Sequence, residues 1–267
     1  MRASLFTLQD YYYATSVEDA YHALLQSKHN VILGGLLWLK MNKKAYQTGI
    51  DLSGIGLNQI VEHETTIEIG TSTTLRQMEK SPLLQTYCNG MLPKAIKQIV
   101  GVQFRNLATI GGSVYSRFGF SDVITALLAL DCQVELHKNG ILPLEEFIQQ
   151  APMKKDILVK IIIKKDQKQG IYFSQRLSAT DLPILNLAMS VDERGWRIAI
   201  GSRPHRAQLA IKTANLLSET PTPEEVDKAV EQLTHELTFG TNIRGSATYR
   251  ETLAKVFVKR GVQALCN

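Results

Sequence analysis

The stretch Gly101-Val102-Gln-Phe-Arg-Asn-Leu-Ala-Thr-Ile-Gly-Gly-Ser113-Val114, followed by Ser121-Asp122, decides how this chain is read. It is rich in Gly, Asn and Thr and reads as a loop between a helix over Pro93–Val100 and an apolar helix over Val123–Leu130 that Ser121–Asp122 opens. Gly111 and Gly112 carry no Cβ, so their backbone can come close to a phosphate. Thr109 and Ser113 flank them with hydroxyl donors, and Arg105–Asn106 can tie the loop down through side-chain hydrogen bonds. A second pair, Gly34–Gly35, follows a short apolar strand, Val31–Leu33, and precedes a helix-like stretch from Leu36 to Lys43. Strand, glycine turn and helix in that order leave backbone N–H groups pointing at an anion. Each pair taken singly reads as a structural turn. Two in one α/β unit point to a dinucleotide, whose pyrophosphate needs several donors. Asp122 can accept hydrogen bonds from ribose hydroxyls, although alone it reads as a plain N-cap.

Outward from these segments the chain alternates between short helices and strands. Residues 16–27 predict a helix capped by Ser16, with Asp19 at the capping-box position. Gln59–His63 and Thr66–Gly70 predict a hairpin, Leu75–Lys80 a short helix, Cys132–His137 a strand ending at an Asn139–Gly140 turn, and Ile157–Ile163 an apolar strand. Lysines gather at Lys154–Lys155 and at Lys164, Lys165 and Lys168, which reads as a solvated junction. Beyond it, strands are expected at Ile171–Arg176, Leu185–Val191 and Trp196–Ile200, then helices at Arg206–Leu217, Pro223–Leu237 and Ser246–Ala264. Strands first and helices later predict a separate α+β unit, with a boundary near residue 168.

With 267 residues, 44% hydrophobic and 21% charged, the chain can bury a sizeable core without staples. A net charge of +5 comes with no aromatic-basic interleaving, so nucleic acid is not an expected partner. The first residues lack the apolar run of a signal peptide, which makes the cytoplasm the expected location. Cys88, Cys132 and Cys266 are too widely spaced for a disulfide framework, a zinc site or an iron–sulfur cluster, and read as buried and inert. There is no G-x-G-x-x-G, no P-loop, and no Ser-His-Asp or Cys-His set. If the protein is an enzyme, a cofactor carries the reactive atoms.

The segment Val31-Ile-Leu-Gly-Gly-Leu-Leu-Trp-Leu-Lys-Met41 resembles the first FAD loop of the molybdopterin dehydrogenase flavin-binding family, which includes the medium subunits of xanthine and carbon monoxide dehydrogenases. Val102–Ser113 with Ser121-Asp122 resembles the family's second loop and its ribose-binding aspartate. Ile69-Gly70-Thr71, Ile243-Arg244 and Ala247-Thr-Tyr-Arg250 extend the likeness over nearly the whole chain. The resemblance implies an α+β protein: two α/β subdomains of the vanillyl-alcohol-oxidase-like (PCMH-type) FAD fold over residues 1–168 (about 1–53 and 54–168), then a small α+β domain over 169–267. It implies that Val31, Ile32, Leu33, Gly34, Gly35, Leu36, Leu37 and Trp38 wrap the pyrophosphate. Thr109, Ile110, Gly111, Gly112 and Ser113 would add backbone donors, and Asp122 would hold ribose. Ile99 and Leu158 would supply apolar contacts, with Tyr172 and Phe173 near the isoalloxazine. Two departures stand out: Leu36 and Leu37 replace the usual polar residues, and Ser113 replaces Asn.

By the same resemblance, the partners are a molybdopterin-binding large subunit and a [2Fe-2S] small subunit. Electrons would arrive from those clusters and leave through FAD to NAD or another acceptor. Two other readings stay open: an FAD oxidoreductase of the same fold acting alone, and a scaffold subunit whose FAD site has decayed.

Overall fold

A computed structural model describes residues 6–150, 155–166 and 168–266 of the chain. Residues 1–5 and Lys154, used above for the leader and the first lysine pair, lie outside them. Three sheets organise the fold. The first is parallel, in the order β1 (Thr7–Tyr13), β3 (Ala45–Asp51), β2 (Val31–Leu33). Helix α1 (Val17–Leu25) precedes β2, and the Ser16 hydroxyl caps it by accepting from the Asp19 amide at 3.0 Å. Its apolar stripe, Ala20, Ala23 and Leu24, packs with Ile50, Leu52 and Ile157.

The second sheet has five antiparallel strands in the order β4 (Ile60–Glu62), β5 (Thr66–Gly70), β8 (Leu158–Lys164), β6 (Cys132–Leu136), β7 (Gly140–Pro143). Period-two alternation sends Ile67, Ile69, Val134, Ile161 and Ile163 into one core. Between β5 and β6 run six helices: α2 (Leu75–Lys80), α3 (Pro82–Thr86), α4 (Met91–Lys97), α5 (Val102–Leu107), α6 (Ile110–Tyr115) and α7 (Asp122–Ala129). A further short helix, α8 (Leu144–Gln149), follows β7.

The third sheet is antiparallel, in the order β12 (Gln208–Leu209), β11 (Gly195–Gly201), β10 (Leu185–Asp192), β9 (Gln169–Gln175). Helices α9 (Ile211–Ala214), α10 (Pro223–Glu236) and α11 (Ala247–Cys266) complete this part. Helix α7 explains how the sheets meet. All eight of its residues are buried, because it packs on β10 and β11 from one side and on α4, α6 and α8 from the others. Strand β10 is correspondingly covered on both faces. Its small residue Ala188 joins the core around α7, while Leu185, Leu187 and Met189 point into the core formed with α10 and α11.

Several expectations need correction. The expected loop at Gly101–Val114 is two short helices, α5 and α6, because Ala108 in extended conformation breaks a stretch that is otherwise helical. The expected helix at Arg206–Leu217 begins as strand β12 and is helical only over α9. The stretch from Leu36 to Lys43 holds one 3₁₀ turn, Leu39–Met41, because Leu36 sits at φ 61°. The lysine junction is not freely solvated. Lys168 is buried with Nζ 3.0 Å from Asp166, and Lys155 donates to the carbonyls of Ser27 and Asn30 at 2.8 and 2.9 Å. Cys88 and Cys132 are buried, and burial pushes the Cys88 thiol up to about 12, but Cys266 is exposed. Among the described residues no helix is long and apolar enough to cross a membrane.

One buried cation holds the C-terminal part together. Arg250, on α11, donates to the carbonyls of Ile184, Gly240 and Gly245 and to Asn242 Oδ1. Replacing it by Met strips one buried and two part-buried carbonyls of their donors. Arg250→Met should cost about 3–5 kcal/mol, read as a lowered urea midpoint at unchanged slope.

Candidate cofactor cleft

A cleft of about 390 Å³ opens where the first and second sheets meet, within the range of small-molecule and cofactor sites. The first glycine segment forms one wall, the second glycine segment and the residues after it form another, and Ile99, Leu158 and Leu75 supply an apolar floor. Of the sixteen residues expected to bind a cofactor, only Val31 and Ile110 do not line it. Val31 is in β2, and Ile110 is fully buried in the core beneath.

The two glycine segments touch each other. A Cβ on Gly35 would stand 1.8 Å from the Leu107 carbonyl oxygen, and one on Gly34 would stand 3.0 Å from Thr109 Oγ1. One on Gly111 would fall 1.8 Å from Thr71 Oγ1. Gly35 and Gly111 are therefore required by close approach of neighbouring chain.

The two segments differ in what their amides do. The amides of Ile110, Gly111, Gly112 and Ser113 donate to Thr73 O, Thr71 O, Thr109 Oγ1 and Thr109 O. Four of the five amides expected as donors on this segment are thus already used within the protein, while that of Thr109, which lines the cleft, donates to no acceptor among the described residues. Along the first segment, the amides of Gly34, Gly35, Leu36, Leu37 and Trp38 donate to no acceptor among the described residues. Those five groups border the cleft, and among the described residues the only charged ones lining it are Asp122 and Asp156.

Backbone strain gathers here too. Leu36 has φ 61° and Val100 φ 43°, both lining the cleft, and Arg117 beside it has φ 51°. A β-branched residue at positive φ is an outlier that its surroundings must hold in place. Arg105 is part of that hold. It donates to the Ile99 carbonyl at 2.7 Å and to Glu79 Oε2 at 2.9 Å, bracing α5 against α2. Burial acts to raise the Glu79 carboxyl, but its bonds to Arg76 and Arg105 win and hold it below its ordinary value.

Asp122 opens α7 behind the Ser121 cap, at the bottom of the cleft wall. Its Oδ1 accepts from the Tyr172 hydroxyl, from Arg176 Nη2 at 2.6 Å and from Asn186 Nδ2 at 3.2 Å. No described residue donates to Oδ2. Burial pushes the carboxyl up from its ordinary value, against the pull of Arg176, Tyr172 and Asn186. Tyr172 is thus spent on Asp122, and Phe173 stacks on Phe257 of α11 at 5.5 Å, so neither lines the cleft. Four aromatic residues missed above do, Tyr115 and three phenylalanines: Phe104, Phe118 and Phe120 surround Trp38, with ring centroids 5.4–6.3 Å from it. Leu182, from the connection between β9 and β10, also lines it. The spacing Phe118-Gly-Phe120 immediately before Ser121-Asp122 was the available signal for the aromatic pair.

Comparisons with known proteins agree with this geometry. Residues 6–164 match the model of the FAD binding domain in molybdopterin dehydrogenase, and residues 172–265 match the CO dehydrogenase flavoprotein C-terminal domain. The chain belongs to this flavoprotein family. FAD is the cofactor that its binding domain takes, and the chain is an oxidoreductase subunit. Among its relatives is the nicotinate dehydrogenase FAD-subunit of Eubacterium barkeri, 27% identical over 78% of this chain and 77% of that one. Another is the nicotine 6-hydroxylase medium subunit of Paenarthrobacter nicotinovorans, 24% identical over 92% and 93% of the two chains. The fold matches a carbon monoxide dehydrogenase chain from Hydrogenophaga pseudoflava at TM-score 0.87, with 24% identity over 96% of both chains. It also matches a chain of quinoline 2-oxidoreductase from Pseudomonas putida 86 at TM-score 0.87, with 19% identity over 100% and 98%.

The residues present fit the cofactor, since a row of unpaired amides beside an apolar trough suits a diphosphate flanked by ring systems. Gly35→Ala should lose most FAD uptake and melt well below the parent, whereas Leu36→Asn should melt above it by relieving about 1 kcal/mol of strain. Differential scanning fluorimetry of the apo chain separates the two. The Glu79 contribution is present above the unfolded carboxyl pKa of about 4.3 and disappears as pH falls through the lower folded value. Glu79→Gln should therefore lower Tm at pH 7 and flatten the fall in Tm as pH drops below the unfolded carboxyl value.

Proposed function

We propose that this chain is the FAD-carrying electron-transfer subunit of a molybdenum hydroxylase of the xanthine dehydrogenase type. In this reading it accepts electrons from iron–sulfur clusters of a small partner subunit and delivers them to NAD or another acceptor. A molybdopterin-binding large subunit carries out substrate oxidation. The observation that carries the reading is the run of five amides from Gly34 to Trp38 along the cleft that have no acceptor among the described residues. These amides would hold the pyrophosphate. Ile99 and Leu158 would cover apolar ring surface, and Asp122 would accept from a ribose hydroxyl through its free Oδ2. Ile110–Ser113 acts by shape, since its amides are spent and Gly34 and Gly111 let the walls close up, while the Thr109 amide remains a donor at the cleft. Bound FAD supplies the exchange between one-electron donors and a two-electron acceptor. The chain's own part is to bind, orient and shield it. The names of the nicotinate dehydrogenase and nicotine 6-hydroxylase relatives, each a subunit of a larger enzyme, support the assembly.

The test begins with the purified full chain. Trp38 is at the cleft and Trp196 is buried in the third sheet, so Trp196→Phe leaves one reporter at the site. FAD should quench its emission saturably and give a yellow protein after gel filtration. A chain that stays colourless, with Trp38 emission indifferent to FAD, would falsify the proposal. Co-expression with its partner subunits should then give substrate-dependent NAD reduction or dye reduction that the flavin-free assembly lacks.

A further inference from the structure

The connection between β9 and β10, residues 176–184, belongs to the C-terminal part of the chain, yet it places Leu182 on the cofactor cleft. Arg176 holds this connection. Nη1 donates to the Asp181 carbonyl at 2.6 Å, Nη2 to Asp122 Oδ1 at 2.6 Å, and Nε to Gln98 Oε1 at 3.4 Å. The Arg176 side chain is 9% exposed and that of Asp122 is 6% exposed, so this ion pair is shielded from water. Arg244 reaches Asp181 from the other side at 3.5 Å, and the Ile184 amide closes the far end on the Gln175 carbonyl at 2.7 Å. One guanidinium thus links a residue of the cleft wall to the backbone of the segment that carries Leu182.

We propose that Arg176 is a positioning residue for the cofactor. By bridging Asp122 to the Asp181 carbonyl it fixes the β9–β10 connection so that Leu182 closes one side of the cleft. FAD retention is thereby coupled to docking of the third sheet on α7. This rests on the FAD reading above. Arg176 does not itself line the cleft, so its effect passes through the two cleft residues that it holds, Leu182 by way of the connection and Asp122 by the ion pair. Lysine cannot replace it fully, because a single ammonium does not reproduce the fork that spans two acceptors.

The experiment uses the full chain and the variants Arg176→Met, Arg176→Lys, Leu182→Ala and the Arg176→Met/Leu182→Ala double. Four quantities are read: FAD Kd, FAD dissociation rate, iodide quenching of bound flavin fluorescence, and chymotryptic cleavage at Leu177 or Leu182 in the apo chain. Arg176→Met should weaken FAD at least tenfold, speed its release, expose the flavin to iodide and open the connection to cleavage, with Arg176→Lys intermediate. Leu182→Ala should reproduce the flavin effects without lowering apo Tm, and the double variant should be no worse than Arg176→Met. FAD binding and iodide access that are indifferent to both single changes overturn the proposal, as does strict additivity in the double. If Arg176→Met does not fold, Leu182→Ala decides alone, since unchanged flavin retention and iodide access there overturn the proposal. A parent chain that takes up no FAD overturns the cofactor reading and this proposal with it. Parent binding unaffected by the variants overturns this proposal only.

Discussion

A backbone amide has to donate to something, whether protein, water or ligand. Five consecutive amides, Gly34 to Trp38, have no partner among the described residues, and they stand beside a cleft. The fold makes this possible through one tight contact. Gly35 lies so close to the Leu107 carbonyl that no side chain fits between, which pins the first glycine segment against the second and keeps it from winding into a helix that would use its amides internally. The second segment has done the opposite. Its amides from Ile110 to Ser113 close on Thr71, Thr73 and Thr109, so that stretch is a finished wall. Two segments that look alike as glycine pairs therefore divide the work into donor and scaffold.

Helix α7 carries the next layer of consequence. It is buried on every side, which requires an apolar sequence throughout, and Val123–Ala129 meets that requirement apart from Thr125, whose hydroxyl is bonded to the Ser121 carbonyl and to Asn186. Its one charged residue, Asp122, survives in that setting only because Tyr172, Arg176 and Asn186 all converge on one oxygen. Tyr172 and Asn186 come from strands of the third sheet and Arg176 from the connection between them. The carboxylate at the cleft wall is thus a product of the docking between the two parts of the chain, and the geometry of one cannot change without the other.

Much of the site was legible in the sequence because glycine pairs, hydroxyl neighbours and a helix-opening aspartate are local features. Gly34, Gly35, Gly111, Gly112, Thr109, Ser113 and Asp122 do meet in one cleft. The alternating runs Thr66–Gly70 and Cys132–Leu136 gave strands of the right sort for the same reason. What stayed hidden depends on partners distant in sequence. Strand β3 carries Gln47, Thr48 and Gly49, which look like loop, and is a strand because β1 and β2 flank it. Arg206–Leu217 has helical periodicity, yet Gln208–Leu209 pairs with β11 instead. Whether an amide is free or spent is invisible in sequence, and so the roles of the two glycine segments could not be separated there. Leu182 and Arg176 reach the cleft system only through the docking of the third sheet.

Leu36 and Leu37 now take on a different meaning. Polar residues at these positions would add side-chain bonds to phosphate, and their loss first suggests a weakened site. Yet the backbone at Leu36 is still held at φ 61°, a conformation that leucine adopts at a cost of about 1–3 kcal/mol. A segment freed of its binding role would be expected to relax toward ordinary helix or strand, satisfying its amides on the way. That it remains strained and unpaired, next to a second outlier at Val100, is what a site shaped for an anion looks like when the donors are backbone alone. The leucines then do something polar residues cannot. Leu37 packs against the core, and together with Trp38, Phe118 and Phe120 they give this end of the cleft an apolar rim. The part-buried amides of Gly35, Leu36 and Leu37 then face less competition from water than those of the exposed Gly34 and Trp38, and are electrostatically stronger.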